Sequence, residues 1–354
     1  MIEPALWQSL LAEGAGELED FWGRRANQPS HRRAFHVFGH PALLASNEAA
    51  VLAALDHSLP LFSRAPELDR PPFTLEVIVR PTGAPPGESV EGAAGHLQYT
   101  GAGEWIAIHL GPWGQAFAQP ATGWAVAVIA PELAARPDLL SLTLLNTLLL
   151  NFCLANGYGM LHASCLWRDE RALLLMAPHN SGKSTTALRL ILAGYGLVSD
   201  SMIHVVPERE AGEGPLLAGF PTRRIKLRAD MLDAFAALRP HTRPERVREE
   251  TKYVLDVARL DPARVVTDAV RPSRATLCLL SRTEQAATTW RPATSEEIAA
   301  AVVSNSLFYD TAGVWRRNLA AIDRLLARTR GYHLAIGRDP QQLVAAVEQL
   351  WEAS

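Results

Sequence analysis

Apolar positions along the chain change period near its middle, and the change marks out a strand, a loop and a helix in succession. Ala172-Leu173-Leu174-Leu175-Met176 is a short continuous apolar run, which predicts a buried strand. Thr186-Ala187-Leu188-Arg189-Leu190-Ile191-Leu192 predicts a helix, closed at Gly194-Tyr195-Gly196, where glycine suits a helix C-cap. Leu197-Val198-Ser199 predicts a short strand that delivers Asp200 at its end. Upstream, 160–167 reads as a strand, joined to 172–176 by the charged turn Arg168-Asp169-Glu170-Arg171. Downstream, strands are predicted at 202–206 and 216–220 around a loop, then a helix near 231–238 and a charged loop through Lys252. A strand at 275–280 and helices at 295–307 and 314–327 follow.

The first half alternates differently. It predicts a helix to about Ala26, a strand at 35–38, a helix at 48–55 and a strand at 73–79 bounded by prolines. A Pro/Gly-rich loop at 81–91 precedes strands at 96–99, 105–110 and 124–129. The apolar stretch from about Pro137 to Ala155 carries Ser141, Thr143, Asn146, Thr147 and Asn151, so it reads as a buried helix rather than a membrane span. These patterns predict an α+β domain over 1–156 and an α/β nucleotide-binding domain over 157–354.

Composition narrows the classes. A chain of 354 residues, 48% apolar and 20% charged, matches a globular protein with room for two domains. A net charge of -3 gives no reason to expect nucleic acid or an anionic membrane as partner. Cys153, Cys165 and Cys278 are widely spaced and odd in number, which predicts neither a disulfide framework nor a zinc site. Met1-Ile2-Glu3-Pro4 lacks the basic and apolar blocks of a signal peptide, so the expectation is a cytoplasmic protein.

The chemistry sits in Ala177-Pro178-His179-Asn180-Ser181-Gly182-Lys183-Ser184-Thr185, between the predicted strand and helix. Small residues there let backbone N–H groups turn inward around phosphate oxygens at a helix N-terminus. In that setting Lys183 reaches the β- and γ-phosphates and the Ser184 hydroxyl reaches a magnesium ion. Ala177 stands where the usual pattern has its first glycine. Asp200 is placed to orient the metal or to accept a proton from an acceptor hydroxyl. His162, read as lying on the preceding strand, is a candidate partner for phosphate, metal-bound water or Asp200, with a structural role as the alternative. His179 faces phosphate or solvent. Along a strand, Arg224, Lys226 and Arg228 share one face, with Ile225 and Leu227 opposite. That face suits an anion or is a solvated surface; Lys252 is a weaker candidate.

Taken together, His162-Ala163-Ser164, the strand Leu173-Leu174-Leu175, the loop through Lys183-Ser184-Thr185, Gly196-Leu197-Val198-Ser199-Asp200, and Gly219-Phe220-Pro221 followed by Arg224-Ile225-Lys226-Leu227 resemble the HPr serine kinase/phosphorylase superfamily. The resemblance covers roughly 157–307. It implies a P-loop kinase core like that of phosphoenolpyruvate carboxykinase, ATP and magnesium as cofactors, and transfer of the γ-phosphoryl group to a hydroxyl of a protein, peptide or small molecule. It further implies that Lys183 and Ser184 hold phosphate and magnesium and that Asp200 is the candidate base; joined to the reading of the residues themselves, the expected nucleotide contacts are His179, Asn180, Ser181, Gly182, Lys183, Ser184, Thr185, Arg224 and Lys226, the expected metal ligands Ser184 and Asp200, and the expected catalytic residues Asp200, His162 and Lys183. A homo-oligomer is implied by the family alone. Two departures stand out: Asp200 is followed by Ser201 where the family pairs acids, and the loop carries Ala177, His179 and Asn180. A nucleotide-binding pseudokinase or scaffold, and a simple nucleotide hydrolase, remain open beside the kinase.

Overall fold

The computed structural model describes residues 28–37, 40–58, 73–82, 89–178, 181–206, 214–219, 223–247, 250–306 and 313–353. The helix predicted up to Ala26 lies outside them. The chain has a mixed α/β architecture and divides into two compact units, with the boundary between Cys153 and Leu154.

In the first unit, β1 (His31–Val37), β2 (His40–Ser46), β3 (Phe73–Val79), β4 (Gln98–Ala102), β5 (Trp105–His109), β6 (Gly114–Gln119) and β7 (Trp124–Ile129) form one seven-stranded sheet. Its order is β1-β2-β3-β7-β6-β5-β4, parallel from β2 through β3 to β7 and antiparallel elsewhere. Phe73, Leu75, Val77 and Val79 alternate with half-buried neighbours, as expected of a sheet with one covered face. The region predicted as a helix at 48–55 is a tight helical turn, Ala49–Ala53, followed by a single α-turn, Ala54–Ser58. Among the described residues one helix, Pro137–Ala155, is long and apolar enough to cross a membrane, and 72% of its apolar window is buried. Its hydroxyls turn inward: Thr143 donates to the Leu139 carbonyl and Thr147 to the Thr143 carbonyl, each at 2.7 Å, so the polar interruptions are satisfied within the helix. Phe152 near its end packs on Phe73, with ring centroids 4.7 Å apart.

The second unit is built on a six-stranded mixed sheet of β9 (Ser164–Arg168), β10 (Arg171–Met176), β11 (Gly196–Ser199), β17 (Arg274–Arg282), β18 (Thr289–Pro292) and β19 (Thr329–Ile336), in the order β11-β9-β10-β17-β19-β18. Strands β10, β17 and β19 are mutually parallel; β9 runs against both β10 and β11. Two three-stranded antiparallel sheets join it: β8 (Gly159–Leu161), β12 (Ile203–Val206) and β13 (Leu216–Gly219), and β14 (Arg224–Arg228), β15 (Thr242–Val247) and β16 (Glu250–Asp256).

Strand β10 is apolar and buried from Ala172 to Met176 because both of its faces are covered there. Leu173 and Leu175 enter one core with Ala187, Leu188, Leu190 and Ile191. Ala172, Leu174 and Met176 enter another with Val302, Ala321, Ile322 and Leu325. The first core belongs to α1 (Lys183–Leu192) and α4 (Pro340–Ala353), the second to α2 (Ser295–Ser304) and α3 (Val314–Leu326). All three cysteines are buried, and none forms a disulfide.

Two sequence expectations change here. The run 160–167 is not one strand: β8 belongs to one sheet and β9 to another, and His162 lies in the break between them. The His162 N–H reaches the Asn305 carbonyl at 2.6 Å, beside the isolated bridge between Leu161 and Ser306. Lys252 stands on β16, not in a loop, opposite Glu245 of β15. The charge-rich sequence hides this strand because burial along it does not alternate: within Glu250–Asp256 only the adjacent Val254 and Leu255 are buried. The charged turn is as read, a two-residue hairpin in which Asp169 and Glu170 adopt φ of 50° and 57°, as a type I′ turn requires.

Candidate functional site

Strand direction gathers the chemistry. Because β10, β11 and β17 point the same way, their C-terminal ends share one edge of the sheet, and β9, running the other way, begins there. The loop after Met176, Asp200 after β11 and Ser164 at the start of β9 therefore meet at a single crest, where α/β sheets place their ligands.

Helix α1 opens at Gly182, whose φ of 95° only glycine adopts without strain. No side chain caps this end and no acid occupies its first turn; Lys183 and Ser184 stand there instead. That inverts the usual dipole preference and leaves N–H donors and a cation for an anionic ligand. His179 and Asn180 lie outside the described residues. Ser181 is half-buried, its N–H bonded to the Pro178 carbonyl at 3.2 Å, and Thr185 is half-buried in the first turn of α1.

Asp200 is buried and is the hub. Ser164 Oγ donates to Asp200 Oδ1 at 2.6 Å. Lys183 Nζ donates to the Asp200 backbone carbonyl at 3.0 Å and lies 3.5 Å from His162 Nε2. The Ser184 hydroxyl and the Lys226 backbone N–H also hydrogen-bond the carboxylate. Burial pushes the Asp200 carboxyl above its ordinary range, against the opposing pull of Lys183, Ser164, Ser184 and the Lys226 N–H. Burial likewise pushes the Lys183 ammonium down, with Asp200 acting in the other direction.

Of the sequence-predicted residues, the structure brings Lys183, Ser184, Asp200 and His162 together. The basic strand behaves differently. Ile225 and Leu227 are buried beside α1 in the core, so Arg224 and Lys226 face outward, where both pair with Glu245. Lys226 reaches the hub through its backbone, not its ammonium. Glu245 is held as a carboxylate below its usual range by these two cations, although burial opposes them. Arg228 pairs with Asp230 and Glu250.

Sequence reasoning missed Ser164 as a partner of Asp200 and Glu245 as the counter-charge of the basic strand. Neither pairing has a local signal: the first joins residues 36 apart, the second residues 21 apart on strands whose pairing is not written in their spacing. Among the described residues no group of three His, Cys, Asp or Glu side chains is arranged to hold a metal. The oxygens of Ser184 and Asp200 are hard donors of the kind magnesium accepts, and magnesium keeps few protein ligands.

No protein-family model matches the chain, and no curated protein matches it. Among solved structures it is similar to the Hpr(Ser) kinase/phosphatase from Coxiella burnetii, at 15% identity and a TM-score of 0.32, over 55% of this chain and 91% of that one. A likeness of that size identifies neither fold nor chemistry.

Proposed function

We propose that the chain is an ATP- and magnesium-dependent kinase that transfers the γ-phosphoryl group to a hydroxyl of a protein, peptide or small molecule, on a P-loop core with the first unit as the recognition element. The observation that carries this reading is the convergence of Lys183, Ser184, His162 and buried Asp200 at the uncapped start of α1. Backbone N–H groups from Gly182 to Thr185 and the Lys183 ammonium bind the phosphates and neutralise charge on them. Ser184 and Asp200 would hold magnesium, which when bound offsets charge on the β- and γ-oxygens.

The acceptor oxygen forms a bond to the γ-phosphorus as the bond from phosphorus to the β–γ bridging oxygen breaks, and ADP leaves. The acceptor proton passes to Asp200, whose raised pKa brings it nearer the neutral range favoured in a general base. His162 positions Lys183.

Transfer of label from γ-phosphate-labelled ATP, with magnesium, into an extract of the source organism tests the reading. Wild type is run beside Lys183→Ala. A labelled species seen with wild type and lost with the variant is expected; ATP bound without any labelled product sinks the kinase.

A second reading is favoured by one observation. Asp200, the one carboxylate at the site among the described residues, is engaged by Ser164, Ser184 and the Lys226 N–H, as a structural hub would be. On that reading the chain is a nucleotide-binding scaffold that gates a partner interaction.

Ser164 separates the two further. Ser164→Ala removes a donor to the carboxylate, worth about 1.5–3 kcal/mol for a charged hydrogen bond. The Asp200 pKa then rises by about one unit or more, and the ascending limb of the pH–rate profile at saturating ATP moves to higher pH by the same amount. An unmoved limb removes Asp200 as the base.

A further inference from the structure

Strand β17 is longer than its parallel neighbour. Met176 ends β10 in register with Leu279, and β17 continues through Leu280 and Ser281 to Arg282 while the neighbouring chain departs into the loop. Alternation decides where Arg282 points. Cys278 and Leu280 pack in the core that contains α1, and Arg282, two residues further, shares their side of the sheet. A Cβ placed on Gly182 would lie 3.4 Å from both Nε and Nη2 of Arg282. The guanidinium thus lies against the glycine that precedes Lys183. Asp200 and Lys183 stand on the other flank, toward β9 and β11.

Charge balance gives this placement a role. The Lys183 charge faces that of Asp200, and Arg224 and Lys226 are both drawn to Glu245, one carboxylate between two cations. A triphosphate carries several negative charges, so the cradle needs a further cation. Arg282 has the planar fork that matches two phosphate oxygens at once.

Resting on the nucleotide-binding reading of this loop, we infer that Arg282 is a second cationic ligand of the phosphate chain, closing on the outer phosphates of a nucleoside triphosphate from the flank opposite Asp200. Neither the sequence motif nor the basic strand pointed to it.

Calorimetric titration of ATP, ADP and AMP into wild type, Arg282→Ala, Arg282→Lys and Lys183→Ala tests the assignment. Arg282→Ala is expected to weaken ATP by about 10–100-fold, the loss of a charged hydrogen-bond pair, and AMP by less than about threefold. Arg282→Lys should recover part of the loss, since it restores charge but not the fork. The unfolding midpoint of ligand-free Arg282→Ala should stay within about 2 °C of wild type. If Arg282→Ala binds ATP like wild type while Lys183→Ala does not, the inference fails and the phosphate-loop reading stands. If ATP and AMP weaken alike, or the ligand-free midpoint falls, Arg282 supports the fold and the inference again fails. Wild type that binds no ATP overturns both.

Discussion

Asp200→Asn is expected to lower phosphoryl transfer by about 10²–10⁴-fold, the range for a removed general base, to leave ATP binding without magnesium within about threefold while weakening the magnesium-dependent part, and to make the folded chain more stable at neutral pH. The gain in stability has its cause in burial. Asp200 is buried, and burial disfavours its charged form more than Lys183, Ser164, Ser184 and the Lys226 N–H favour it. Its folded pKa is raised, so between the ordinary carboxylate value and the folded one the native state holds more protons than the unfolded state. Stability therefore falls as pH rises through that window and levels off above it. Asparagine keeps an oxygen for Ser164 and carries no charge to desolvate. Its margin over wild type should grow with pH across the window and then level off, read as a widening difference in melting temperature. Melting curves of both proteins from pH 4 to 9, beside single-turnover transfer, check this. Parallel pH dependences of stability would show that Asp200 titrates like a solvated aspartate, and undiminished transfer would remove it as the base.

Gly219→Ala is expected to destabilise the second unit by about 3 kcal/mol or more and to weaken magnesium-dependent nucleotide binding along with it. Gly219 ends β13, opposite Ile203 of β12. A Cβ there would overlap the Val198 carbonyl oxygen and lie 2.7 Å from Ser199 Cβ. Overlap with a backbone carbonyl cannot be relieved by a change of rotamer, so β13 or β11 must shift. Val198 and Ser199 lead directly into Asp200, and a shift there loosens its bond from Ser164. Gly313→Ala is the control, since nothing lies within 4 Å of its Cβ position; its stability should change by less than about 0.5 kcal/mol. Urea midpoints decide the matter. Equal midpoints for Gly219→Ala and wild type would mean that β13 and β11 do not press on one another.

Sequence by itself determined what depends on neighbours along the chain. The apolar run 172–176, the small-residue loop and the periodic stretch after Lys183 specified strand, turn and helix, since each follows from local spacing. The strand ending at Asp200 was legible for the same reason. Alternation through Ile225 and Leu227 likewise identified the buried face of β14.

Tertiary structure alone decided what depends on which strand lies beside which. An unbroken apolar run at 160–167 carries no mark of the point where the chain passes from one sheet to another, yet that break places His162 within reach of Lys183. The basic strand announced charge but not its neutralisation, because Glu245 arrives from β15 only through β-pairing. Ser164 meets Asp200 because β9 runs against β11, and Arg282 meets Gly182 because β17 outlasts β10 by three residues. Backbone hydrogen bonds set strand order and register over separations that leave no period in the sequence, and the crest where these side chains meet is a product of that register.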